Sequence, residues 1–272
     1  MEQQFKNVSQ AFSRQAEKYD SYEEDHDILK WMREQVHQHA LSHLTVGDHI
    51  LEINAGTGID AAYFAALGYR VHATDMSEGM LRQLEKKVVL QDLDEKITLQ
   101  KISYTELDQI TNKFDYIFSN FGGLNCIPDL GPVAKNIPKL LKPEGKVTLV
   151  IMPPICPWEL ALILRGHFKS AVRRLHRNGV LAHVEGVHFK SFYFTPKRVL
   201  KVFGREFKKI ALQGLGSVSP PPYMKNFPKR LPEVYRFLTS LDARISRFPP
   251  FNSWADHFIL TMQFMPQDGF EK

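Results

Sequence analysis

The sequence predicts a doubly wound α/β fold on a mostly parallel sheet. Short β-like runs alternate with helically spaced apolar stretches from the leader to Met152. A glycine turn, Gly56-Thr57-Gly58, follows the first run and opens a helical pattern. The second run stops at a carboxylate, Asp75, about twenty residues behind the turn.

In chain order, a helical leader rich in charge and aromatics fills Phe5 to Leu44. The β-like runs are His49–Ile53, Arg70–Thr74, Ile97–Lys101, Phe114–Ser119 and Lys146–Met152. Helical spacing marks Ile59–Leu67, Glu78–Leu90, Tyr104–Ile110 and Gly131–Leu141 between them. Such alternation buries a parallel sheet on both faces, with ligands received beyond the strands' carboxyl ends. Further on, a helix is expected from Glu159 to Arg177, and another from Thr195-Pro196, an N-cap followed by proline at the first helical position. A strand-like run Lys209–Leu215, the stiff turn "SVSPPPYMKNFP", a helix near Leu231–Ile245 and a last strand Asp256–Phe264 complete the chain. The expected division is 1–45 leader or lid, 46–152 ligand-binding core, 153–208 basic covering insertion and 209–272 completion of the core.

Composition narrows the class. The chain has 272 residues, 43% of them hydrophobic, enough for one sizeable domain carrying an insertion. Two cysteines, Cys126 and Cys156, build neither a disulfide framework nor a thiolate zinc site, so a reduced, cytoplasmic setting and no metal are expected. The start is polar and mixed in charge, unlike a secretory signal. The apolar, charge-free stretch Val147–Trp158 is too short to span a bilayer and holds three prolines. Net charge is +5, yet Arg165 to Lys209 carries twelve Lys/Arg against Glu185 and Glu206. This basic segment is either a solvated face or a contact for a membrane surface or an anionic ligand.

The turn itself speaks to ligand chemistry. Gly56 and Gly58 let backbone approach a ligand closely, and Asn54 tolerates positive φ where a third glycine would otherwise stand. Asp75 can accept hydrogen bonds from a ribose diol. "GTGIDA" also fits the dinucleotide pattern, which makes an NAD(P)-dependent oxidoreductase one alternative. Asp60 in the first helical turn opposes a diphosphate, and Glu52 just before the turn suits a cationic ligand better.

"LEINAGTG", then "VHATDMSEGML", "FDYIFSNFGGLNCI" and "LLKPEGKVTLVIM", together resemble the class I S-adenosylmethionine-dependent methyltransferases over about Val46 to Met152. The leader "AFSRQAEKYDSYEE" resembles the helical opening of small-molecule members. The resemblance implies a seven-stranded Rossmann-like methyltransferase fold with its last strand antiparallel and an insertion between strands five and six. It implies S-adenosylmethionine as cofactor, S-adenosylhomocysteine as product and a small-molecule methyl acceptor. Glu52, Asn54, Ala55, Gly56 and Gly58 would form the first motif, in which Asn54 replaces a glycine. Asn120 and Phe121 would border the methionine end, Asp75 the ribose, and Met76, Met80, Ile102 and Ser103 the adenine, with Glu106 as the nearby acidic residue. Tyr19 and Tyr22 would close over the cofactor.

Methyl transfer is an in-line displacement and needs a general base only when the acceptor atom carries a proton. No catalytic residue is therefore forced. The candidates in the covering region are His183, His188, Tyr193, Tyr223 and His257, and "AHVEGVHFKSFYF" alternates like a strand pair that would aim some of them inward. His257 in "WADHFIL" also reads as a hydrogen-bonded structural histidine. A nucleic-acid acceptor is disfavoured, since "SNFGG" stands where base-amine methyltransferases carry an Asn/Asp-Pro-Pro-aromatic run; RNA modification and non-catalytic cofactor binding remain alternatives. Arg173 and Arg174 would hold an acidic substrate, while "WELALILRGHFKSAVRRLHR" suits a lipophilic one. Oligomeric state is open.

Overall fold

The computed structural model describes residues 2–266. Two helices, α1 (Glu2–Glu24) and α2 (Asp27–Leu41), form the leader. Then follow β1 (His49–Ile53), α3 (Ile59–Ala66), β2 (Arg70–Asp75), α4 (Glu78–Leu90), β3 (Ile97–Lys101), β4 (Phe114–Ser119), α5 (Gly131–Leu140) and β5 (Leu141–Ile151). The insertion holds the short helices α6 (Pro157–Leu160) and α7 (Phe168–Ala171) and a hairpin, β6 (Val180–Val184) with β7 (Val187–Ser191). The chain ends with α8 (Pro196–Phe203), β8 (Phe207–Leu215), α9 (Phe227–Arg230), α10 (Pro232–Ile245) and β9 (His257–Phe264).

Seven strands form one sheet in the order β3-β2-β1-β4-β5-β9-β8. β9 runs antiparallel to both β5 and β8, and the strands from β3 to β5 pair in parallel. Strand order reverses between β1 and β4, so a crevice opens at their carboxyl ends. Because β9 runs the other way, its first residue, His257, sits at that same edge, with Phe258 opposite Ile151 at the end of β5.

Side-chain alternation fills both faces. Leu51, Ile117, Leu149 and Leu260 meet α5 and α8 on one side. Ile50, Tyr116, Phe118 and Ile259 meet α2 and α3 on the other. On that second side a polar chain crosses the sheet: the Tyr116 hydroxyl lies 2.5 Å from that of Thr148, which lies 2.7 Å from that of Thr261. His39 of α2 closes the chain at 2.8 Å from Thr261.

Two expected helices differ. Tyr104–Ile110 forms only a 3-10 turn, Leu107–Gln109. Ser103 and Thr105 pair their hydroxyls at 2.8 Å, and the Thr105 N–H donates to Ser103 Oγ, which competes with helical bonding. Glu159–Arg177 is broken into short turns, because Gly166 adopts φ 77° and the His167 N–H closes back on the Leu162 carbonyl. The Thr195 N-cap forms as expected, accepting from the Arg198 N–H.

Candidate active site

The crevice is built from strand ends. After β1 the chain turns through Asn54 (φ 55°), Gly56 (φ 59°) and Gly58 (φ 75°). Asn54 does more than tolerate the turn: its Oδ1 accepts the Ser119 hydroxyl at 2.7 Å, and its Nδ2 donates to the Asn120 carbonyl, tying β1 to β4. Asp75 ends β2 with its carboxylate fixed by two backbone donors, the Gly56 N–H at 2.9 Å and the Ser77 N–H at 2.8 Å. Each oxygen keeps acceptor capacity for a ligand hydroxyl. Burial nevertheless pushes the Asp75 carboxyl up from its ordinary value.

A cavity lies over these strand ends, mostly apolar in lining. Of the residues expected from sequence, Tyr19, Asn54, Gly56, Asp75, Met76, Met80, Ile102, Asn120 and Phe121 line it. Ala55 faces a smaller pocket beside it, together with Arg33 and Asp60. Other expected residues stand elsewhere. Gly58 is a packing glycine, since a Cβ there would lie 2.0 Å from Leu84 Cδ1. Glu52 is buried under the turn, where burial and the neighbouring Asp60 hold its carboxyl well above the usual range. Ser103 turns with Glu106 into an outer groove against Lys6 and Gln10. Tyr22 is 49% exposed and packs on His26, so only Tyr19 of the two leader tyrosines reaches the cavity.

The structure adds residues that sequence reasoning missed. Val8, Ser9 and Phe12 of α1 join Tyr19 in the cavity wall, and Tyr104, Gly123 and Cys126 complete it. The signal was present in α1, where these residues share a helical face. Gly79 lets α1 lie against α4: a Cβ there would meet the Ser13 carbonyl at 2.6 Å. Two buried polar atoms near the crevice have no hydrogen-bond partner among the described residues, the Tyr104 hydroxyl in the wall and Glu52 Oε2 beneath the turn.

A second missed feature is the buried ion-pair cluster that docks the leader. Arg33 of α2 binds both carboxylate oxygens of Glu23 and lies 2.5 Å from Asp60 at the start of α3. His37 and Asn120 also bind Asp60, at 2.6 and 2.9 Å. Burial opposes ionisation of Asp60, but Arg33 and His37 outweigh it and hold the carboxyl low. Arg33 lies over the Phe121 ring at 4.6 Å. Phe121 itself adopts φ 43°, an uncommon conformation for a bulky residue.

Catalytic candidates separate clearly. His183 and His188 pair across the β6–β7 hairpin with ring centroids 4.5 Å apart, but both are exposed. The alternation turns Val187 and Phe189 inward against α1 instead, so the expected inward aim fails for these histidines. Tyr223 is 54% exposed, and Tyr193 lies under the Arg174 guanidinium at 5.3 Å. His257 is buried beside Phe121, ring centroids 5.9 Å apart and nearly perpendicular.

Arg173 and Arg174 do not offer free charge to a substrate. Arg173 binds Glu159 through two bonds of 2.8 and 2.7 Å. Arg174 is buried and binds Glu159 at 2.8 Å and Asp256 at 2.6 Å. The ligand atoms of Cys156, Glu159 and Asp256 approach within 4.8 Å of one another, but the guanidinium groups occupy both carboxylates. In place of the expected anionic-substrate contact, Arg174 ties the insertion to the core through Asp256, and Arg173 braces the insertion internally through Glu159. No helix among the described residues is long and apolar enough to cross a membrane.

The chain's likenesses to known proteins agree with this architecture. Residues 50–145 match the family described as a methyltransferase domain. The chain is 33% identical over 146 residues to a demethylmenaquinone methyltransferase of Symbiobacterium thermophilum, covering 51% of this chain and 56% of that protein. It is 30% identical over 151 residues to a ubiquinone/menaquinone biosynthesis C-methyltransferase of Rickettsia peacockii, covering 51% and 58%. The chain thus spans a little over half the length of these curated relatives. Among solved structures, a Burkholderia thailandensis 1,6-didemethyltoxoflavin-N1-methyltransferase with bound S-adenosylhomocysteine superposes with TM-score 0.57 at 17% identity, covering 95% of this chain and 88% of that one. An S-adenosylmethionine-dependent methyltransferase from Clostridium acetobutylicum gives TM-score 0.58 at 15% identity, covering 93% and 98%. At such identities these structures establish the fold alone. The match to a methyltransferase domain thus falls on residues 50–145, which carry the glycine turn and the parallel strands β1 to β4.

Proposed function

We propose that the protein is an S-adenosylmethionine-dependent methyltransferase acting on a small lipophilic acceptor, of the hydroquinone or related phenolic kind. The observation that carries the cofactor is the pairing of Asp75 with the glycine turn at the wall of an apolar cavity. Asp75 would hold the ribose hydroxyls, and Met76, Met80 and Ile102 would pack on the adenine. The Asn54–Gly56 backbone, the Asn120 carbonyl and the Arg33 guanidinium would face the amino-acid end. The bound cofactor supplies an electrophilic methyl group on a sulfonium; the chain supplies positioning and exclusion of water. Val8, Phe12 and Tyr19 of the leader would close over it. The buried anion Asp60 at the start of α3 supports this reading over a dinucleotide, because a diphosphate at that helix N-terminus would meet fixed negative charge.

A lipophilic acceptor is supported by the names of the curated relatives and by the insertion, which exposes Leu164 (90%), Phe168 (62%) and Leu181 (65%) beside Lys169 and Arg177. The same surface suits contact with a membrane interface, where apolar side chains enter and basic ones meet anionic headgroups.

Thermal unfolding with S-adenosylmethionine, S-adenosylhomocysteine, NAD and NADP in turn tests the cofactor. Ligand at a hundred times its dissociation constant stabilises by about 2.7 kcal/mol, a shift of roughly 5–10 °C at this size. Shifts with the two sulfur compounds, lost in Asp75→Ala, are expected; a shift with NAD alone would overturn the assignment. Transfer of labelled methyl to 1,4-naphthohydroquinone tests the acceptor class.

A further inference from the structure

Beyond the cofactor crevice, a chain of buried charge runs from the insertion to the mouth of the sheet. Glu159 binds Arg174, Arg174 binds Asp256, and Asp256 Oδ2 lies 2.9 Å from His257 Nδ1. All four residues are buried. Arg174 also donates to the Asp256 backbone carbonyl at 2.8 Å, so the carboxylate is fixed in place as well as in charge. Burial would favour the neutral acid, but Arg174 and His257 outweigh it and hold Asp256 ionised.

That arrangement sets the histidine tautomer. An ionised Asp256 can only accept, so Nδ1 carries a proton, and in the neutral imidazole Nε2 is the nitrogen that presents a lone pair. Nε2 takes no hydrogen bond with any described residue. It points at the turn after β4: a Cβ built on Gly122 would lie 3.4 Å from His257 Nε2 and 3.2 Å from Met152 Cε. Glycine at 122, with φ 69°, keeps that approach open. The neighbouring residues of the same turn, Asn120, Phe121 and Gly123, line the cofactor cavity. The imidazole therefore stands one residue from the cavity wall, on the side toward the insertion. The ionisable groups around it are Asp256, Arg174 and Glu159, with Tyr193 under Arg174 and Tyr223 beyond Cys156.

We infer that His257 is the general base of the methyl transfer, with Asp256 and Arg174 as positioning residues; this rests on the methyltransferase reading above. The acceptor's nucleophilic atom forms its bond to the methyl carbon while the carbon–sulfur bond breaks, its electron pair going to sulfur. The proton that the acceptor atom loses passes to His257 Nε2. The imidazolium so formed is stabilised by Asp256, and total charge is conserved. The acceptor this site takes is one whose reacting atom carries an acidic proton, such as a phenol or hydroquinone.

The test combines three measurements. Nitrogen-15 NMR of the histidine rings reads the tautomer without turnover: Nδ1 protonated and Nε2 bare is expected for His257, and the reverse tautomer overturns the inference. Calorimetry with S-adenosylhomocysteine is expected to give His257→Asn an affinity within about twofold of wild type. Turnover of 1,4-naphthohydroquinone by that variant should fall by about 10²–10⁴ with KM little changed and recover partly with added imidazole. Normal cofactor affinity with turnover within threefold of wild type would overturn the inference and leave the methyltransferase reading standing. Failure of the wild-type protein to bind the cofactor or transfer methyl would remove both.

Discussion

Arg33 Nη1 lies 2.5 Å from Asp60 Oδ1, and both groups are buried. This pair joins the leader to the first turn of the helix that follows the glycine turn. The leader, whose α1 residues line the cavity wall, is thereby tied to the helix that opens from the glycine turn.

Breaking that pair from one side leaves a buried charge without its partner. Arg33→Ala is expected to destabilise by about 3–5 kcal/mol, since Glu23 and Asp60 both lose it. Urea unfolding reads the loss. Ligand-induced stabilisation by S-adenosylhomocysteine should fall as well, because Arg33 also covers Phe121 in the cavity wall.

Two neighbouring glycines should respond differently. Alanine at Gly56 meets nothing within 4 Å and carries only the cost of a left-handed conformation, about 1–2 kcal/mol. Alanine at Gly58 carries that cost and also drives a methyl into Leu84, adding about 1–3 kcal/mol. Urea midpoints should rank Gly58→Ala below Gly56→Ala. Equal midpoints would mean that Leu84 yields without cost.

Stability should fall as acid titrates His39. Burial pushes its imidazole down to about 4 from an ordinary 6.5. A base depressed in the folded state contributes stability that is whole above pH 6.5 and is lost as pH falls toward 4. The contribution is about 3 kcal/mol. His39→Gln should flatten the decline of unfolding free energy across that window; an unchanged slope would assign the acid sensitivity to other histidines.

Glu52 works in the opposite sense. Its folded carboxyl is raised, so its contribution is complete below pH 4.5 and is lost as pH rises toward the folded value. Glu52→Gln should match wild type near pH 4 and exceed it at pH 7 without ligand. A variant less stable at both values would show that the carboxylate is ionised and paired in the folded protein.

The parallel core was legible because periodicity and turn chemistry are local properties. The turn after β1, the carboxylate ending β2 and the turn after β4 all follow from strand ends that the pattern marks. Local pattern failed where local rules compete. Gly166 cut a helix that apolar spacing suggested, and the Ser103–Thr105 hydroxyl pair replaced another with a short turn. Alternation identified the β6–β7 hairpin, but it could not say which face meets α1, and the structure puts Val187 and Phe189 there while His183 and His188 face outward.

The sequence by itself determined the class of fold and the glycine turn with Asp75 behind it. Those features depend on residues close in sequence, whose spacing carries the physics. Only the tertiary structure decided the charges. Arg33 meets Asp60 across 27 residues, and Arg174 meets Asp256 across 82. Ion pairing depends on distance in space and on burial, and neither is written in local order. The same limit hid the surroundings of His257: its isolated position in "WADHFIL" shows neither the carboxylate that Arg174 fixes behind it nor the Gly122 turn beside its Nε2.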